Sequence, residues 1–110
     1  MIYHLTTEEL LLRALEIGVY KNPSLKTEGF IHCSPKEEVL SVAKLHYDSS
    51  PKMIVLSIVE KRLTVPVKWE NGLSDKLFPR VYGSIPAEAI ESIDLIEKNE
   101  YGEFVWITKD

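Results

Sequence analysis

Apolar and polar positions change period half-way along the chain. Ile2 to Leu5 is a short apolar and aromatic run that predicts a strand, and Thr6-Thr7-Glu8-Glu9 follows with a capping-box pattern, Thr6 as cap and Glu9 three residues on. Leu11, Ala14 and Leu15 then share a face at helical spacing, with Leu12 beside them, until Gly18 arrives where a C-terminal cap belongs, so a helix is predicted over 7–17. Residues 19–28 carry Asn22-Pro23-Ser24 and mixed charges and read as a loop anchored by Tyr20 and Leu25. Gly29 to Cys33 predicts a second strand. In Ser34-Pro35-Lys36-Glu37 the serine can cap, proline suits the first helical position and Glu37 completes the box. Val39, Leu40, Ala43 and Tyr47 form the stripe of a second helix, 35–47, which Asp48-Ser49-Ser50-Pro51 breaks. Beyond it Met53 to Val59, Thr64 to Trp69, Ile90 to Ile96 and Glu103 to Thr108 all favour strands. The expected class is α+β: two N-terminal helices packed on small mixed or antiparallel sheets.

Length and composition narrow this further. With 110 residues, 45% hydrophobic and 27% charged, the chain suits one folded domain spanning 1–110. Thirteen basic against seventeen acidic residues give a net charge of -4, which argues against long nucleic acid as a partner. No apolar run approaches the roughly 20 residues of a membrane span, and Met1-Ile2-Tyr3-His4 lacks the basic region and apolar stretch of a signal peptide; the expected location is cytoplasmic, with no membrane partner. A lone cysteine, Cys33, can form neither an internal disulfide nor a Cys-rich zinc site, and no metal is expected.

The two leading strand–helix units repeat a small pattern: His4 and His32 each precede a capping hydroxyl, Thr6 or Ser34, by two residues. A histidine there sits near unpaired backbone N–H groups and the positive end of a helix, so two on neighbouring strands would cradle phosphate or carboxylate. The other reading makes each a partly buried strand residue bonded to a carbonyl. Thr6 and Ser34 are explained by capping alone. Cys33 and His32, adjacent on a strand, point to opposite faces, which makes Cys33 a small buried apolar residue rather than a nucleophile. His46, near the end of the second helix, reads as solvated or dipole-capping. Arg80 and Tyr82 share a face if extended; Arg80 could hold phosphate or carboxylate in bidentate fashion, and Tyr82, Trp69 or Tyr20 could stack on a flat ring, against the alternatives of a surface ion pair and core packing. Glu70, beside a turn, is a candidate carboxylate, and Glu103 a weaker one.

With Tyr3-His4-Leu5-Thr6, Glu28-Gly29-Phe30-Ile31-His32-Cys33-Ser34, Val67-Lys68-Trp69-Glu70 and Leu77-Phe78-Pro79-Arg80-Val81-Tyr82-Gly83 in order, the chain resembles the bacterial domain-of-unknown-function family 952 from Met1 to about Leu95. That resemblance implies an ADP-ribosyltransferase-like fold around an NAD-binding cleft. Tyr3-His4-Leu5-Thr6 looks like that superfamily's first-strand Tyr-His-Gly-Thr motif, with Leu5 for glycine, and His32 looks like the second-strand histidine of the branch containing RNA 2′-phosphotransferases. Arg80 stands where the family usually has histidine, and Glu70 matches a catalytic glutamate by position only. Taken together, the residues and the resemblance give a site with His4, His32 and Arg80 in catalysis and Tyr3, His4, Thr6, His32, Ser34, Trp69, Glu70 and Tyr82 in binding, with NAD as the cofactor that the resemblance implies. The expected function is therefore to bind NAD or a related nucleotide or phosphorylated ligand and to transfer ADP-ribose or phosphate. The alternatives are a non-catalytic ligand-sensing or protein-interaction module and, more remotely, a hydrolase using Cys33.

Overall fold

Strand β1 (Ile2–Thr6) pairs antiparallel with β4 (Lys52–Ile58), which pairs with β8 (Ile90–Lys98), which pairs with β9 (Phe104–Ile107). Because side chains alternate along a strand, this four-stranded sheet carries a core on each face. Ile2, Leu56 and Ile58 face one core, with Leu11 and Ala14 of helix α1 (Glu8–Ile17) and with Tyr20, Ile31 and Val81. Leu5, Met53, Val55, Ile96 and Phe104 face the other, against Val39 and Ala43 of helix α3 (Val39–His46). Burial on both faces explains the nearly unbroken apolar run of β4. The computed structural model describes residues 1–72 and 75–107; the strand expected to end at Thr108 runs to Ile107, and Thr108 lies outside the described residues.

A second sheet, in the order β3 (Ile31–His32), β6 (Leu77–Val81), β5 (Val67–Asn71), is also antiparallel, and β2 (Val19–Tyr20) pairs with β7 (Ile85–Pro86). The two larger sheets meet at one corner. Cys33 donates its backbone N–H to the Pro79 carbonyl at 3.0 Å, but Pro79 has no N–H to return, so the β3–β6 ladder stops there. One residue later Ser34 exchanges two backbone bonds with Tyr3 of β1, at 2.7 and 2.9 Å.

The expected α+β class, with antiparallel sheets and few helices, holds; the helices differ in detail. Among the described residues three α-helices are present, because residues 19–28, expected as loop, contain β2 and the single-turn helix α2 (Ser24–Thr27). Tyr20 and Leu25 anchor that segment as expected, Tyr20 fully buried and Leu25 packed against the first core. The cap of α1 is Thr7, which accepts from Leu10 N–H at 3.3 Å, and not Thr6, whose side chain is committed to the buried face of β1. Gly18 ends α1 in the left-handed region, φ 83°, where glycine meets no Cβ penalty. Ser34 does not cap the helix expected over 35–47: its backbone is extended and bridged to β1, so Pro35 stays extended, a 3₁₀ turn covers Lys36–Glu38, and α-helix begins at Val39.

Candidate functional site

The two histidines do different things. His4 faces the first core, 4% exposed, and its hydrogen-bond partners fix its protons. Nδ1 lies 2.5 Å from the His32 carbonyl, which only accepts, so Nδ1 carries the proton. Nε2, 2.6 Å from the Tyr20 hydroxyl, must then accept from it in the neutral ring, and the Tyr20 oxygen accepts in turn from Thr6 Oγ1 at 2.7 Å and Asn22 Nδ2 at 3.0 Å. Burial pulls the His4 pKa down from 6.5 to about 4, outweighing the bond to the His32 carbonyl, which acts the other way. His4 and Thr6 are thus parts of a closed internal network that ties β1 to β2 and β3, the carbonyl-bonded reading made above for a strand histidine. Tyr3, on the opposite face of β1, packs against the second core.

His32 points the other way, into an open cleft of about 890 Å³ bounded by β3, β6, α3 and the segment around α2. Its Nε2 is 2.9 Å from a carboxylate oxygen of Glu28. Gly29 makes that contact possible: at φ 88° it turns the chain back between α2 and β3, laying Glu28 beside a histidine four residues on. Register does the rest. His32 pairs with Arg80, and Arg80 with Lys68, so the second sheet carries a row of three basic side chains in a chain of net charge -4. Beneath them lie aromatic rings: the Arg80 guanidinium sits 4.5 Å from the Phe30 centroid, the His32 ring meets Phe30 edge-on at 4.8 Å, and Lys68 lies 5.0 Å from the Tyr82 centroid.

Glu70 approaches this row from β5. It accepts from the Tyr82 hydroxyl at 2.5 Å and lies 3.6 Å from Arg80, an ion pair beyond hydrogen-bond length. The Glu70 carboxylate raises the pKa of Tyr82, with Arg80 opposing. Trp69 pairs with Pro79 in the register, which puts it on the opposite face of the sheet from Arg80 and Tyr82; it does not join them in stacking on a common ligand. Neither Trp69, Glu70 nor Tyr82 lines the cleft. Ser34 does, as part of the buried wall, and so does Cys33, 3% exposed, whose thiol burial pushes up and holds protonated. Tyr20 is consumed by the internal network, and Glu103 lies just before β9, its N–H bonded to Asn99 Oδ1.

Pattern did not reveal Glu28 and Phe30 as partners of His32; His46, read as solvated or dipole-capping, is exposed in the last turn of α3 and also lines the cleft with Ser41, Val42 and Tyr47. The four-residue spacing of Glu28 and His32 was visible, but it signals proximity in a helix, and here a glycine turn produces it.

The comparisons agree with this architecture. Residues 5–93 match the model of a family described as "Protein of unknown function (DUF952)". The chain belongs to that family. Like this DUF952 member, protein CC0527 from Caulobacter crescentus has the same fold: its crystal structure superposes with a TM-score of 0.84 at 19% identity, covering 94% of this chain and 92% of that one. Its solution NMR structure gives 0.78 at 19% identity, covering 93% and 89%. No curated protein matches the chain. Among the described residues of this DUF952 chain no helix is long and apolar enough to cross a membrane.

Proposed function

We propose that the protein binds a small phosphorylated ligand of the nucleotide class, NAD foremost, in the cleft beside the His32–Arg80 row. The observation that carries this reading is the state of Arg80. Its guanidinium is half-buried, backed by Phe30 and held by Glu70 only at 3.6 Å, so planar donors remain for bidentate contact with a phosphate. A cleft of about 890 Å³ is within the size range of small-molecule sites. Phe78 and Tyr47 supply apolar surface for a ring, and His32 and Ser34 supply polar groups for a ribose. NAD would bring an activated glycosidic bond, whose cleavage releases nicotinamide and transfers ADP-ribose; the chain's residues would bind and orient it. His4 acts at one remove, holding the His32 carbonyl and so the strand. Two antiparallel sheets joined at a corner beside a cleft support the finer fold reading, an ADP-ribosyltransferase-like arrangement.

One observation favours a second reading, a ligand-sensing module without turnover: Glu70 is engaged by Tyr82 and Arg80 and stands outside the cleft. Calorimetry with NAD, ADP-ribose and inorganic phosphate is expected to detect binding that Arg80→Ala weakens by about tenfold or more, the scale of a charge-assisted bidentate contact. Failure of all three ligands at millimolar concentration contradicts the proposal. Nicotinamide release that disappears in Arg80→Ala decides for the transferase, and binding without release decides for the module.

A further inference from the structure

Glu28 has no role in the reading above, yet among the described residues it makes the one side-chain hydrogen bond of His32, 2.9 Å from Nε2. Both side chains are about half exposed, at 57% and 47%, and an exposed pair of this kind adds little stability. Its consequence is orientation. A carboxylate only accepts, so it holds the proton of neutral His32 on Nε2 and leaves Nδ1 as a lone pair. Among the described residues Nδ1 has no hydrogen-bond partner. Next to it, Arg80 is the directly paired residue on β6, and both side chains lie against the same ring, Phe30. Side chains of such a cross-strand pair stand about 5 Å apart at Cβ, a separation that one sugar phosphate can span.

Resting on the proposed ligand site, we infer that Glu28 is a positioning residue that makes His32 a hydrogen-bond acceptor, so that the ligand presents a hydroxyl to His32 and its anionic group to Arg80. The ligand class is therefore a phosphorylated polyol or sugar, the ribose phosphate of a nucleotide included, rather than a bare anion held between two cations. Glu28 itself touches no ligand.

Two readouts separate this claim from the site proposal. Nitrogen-15 NMR of the ligand-free protein, read at a pH where the same spectra show the His32 ring neutral, is expected to show His32 as the Nε2–H tautomer in wild type and as a mixture in Glu28→Ala. Calorimetry is expected to show Glu28→Ala weakening ribose 5-phosphate by about tenfold, the scale of one hydrogen bond, while leaving inorganic phosphate unchanged; Arg80→Ala weakens both. A wild-type Nδ1–H tautomer, or equal weakening of both ligands by Glu28→Ala, overturns the inference. If neither ligand binds the wild type, the site proposal fails and the ligand half of this inference falls with it, whereas the tautomer still decides whether Glu28 sets His32.

Discussion

His4 shows how much of a small domain can rest on one neutral imidazole. Its Nδ1–H satisfies the His32 carbonyl, and its Nε2 receives the Tyr20 hydroxyl, which in turn satisfies Thr6 and Asn22. In Tyr20→Phe the Thr6 hydroxyl and the His4 lone pair lose their partner inside the core, and unfolding in denaturant should reveal a loss of about 1 to 3 kcal/mol with the fold intact. An unchanged midpoint would mean that the network carries no net stability. The same residue sets a pH dependence. With a folded pKa near 4 against 6.5 unfolded, the unfolded chain takes up a proton in this window that the folded chain refuses. Stability contributed by His4 is therefore fully present above pH 6.5 and lost as pH falls towards 4, by about 3 kcal/mol in all. Urea titrations across that window should find this slope in the wild type and not in His4→Gln; identical slopes would assign the acid sensitivity to other groups.

Element by element, what could be read from pattern was what repeats. The stripe of α1, its Gly18 stop and the doubly buried β4 have enough residues to display a period. Gly18→Ala tests that stop, since a Cβ at φ 83° should cost about 1 kcal/mol in thermal unfolding although nothing lies within 4 Å of it. A neutral result would mean that the lost freedom of the unfolded chain offsets the strain at Gly18. The two-residue strands β2 and β7 and the four-residue α2 are too short to show periodicity, and tertiary pairing creates them, whereas β3 falls inside the strand expected over Gly29 to Cys33, of which only Ile31 and His32 pair. Strand β6 was disguised by Pro79, a residue that normally argues against a central strand; the contradiction resolves because the ladder to β3 ends at that residue. The capping boxes at Thr6 and Ser34 misled for one reason. Both residues belong to extended segments whose hydrogen bonds were already taken, by Tyr20 and by Tyr3.

Across the whole molecule, the repeated histidine pattern brings its two members to one corner of the fold and conceals a division of labour. His4 and His32 are joined through one backbone carbonyl, yet their rings point into different environments, a core and a cleft. The basic row of His32, Arg80 and Lys68 could not be seen in sequence because three strands, distant along the chain, must align to build it. That alignment, next to a cleft floored by Phe78 and walled by α3, is the basis for placing a phosphorylated ligand there. The most direct test is an amide chemical-shift map of the uniformly labelled protein titrated with ADP-ribose. The account predicts saturable shifts concentrated in Glu28 to Ser34, Ser41 to Tyr47 and Phe78 to Arg80, and their loss in Arg80→Ala. Shifts centred instead on the separate depression between Leu10 and Lys26, or none at millimolar ligand, would contradict it.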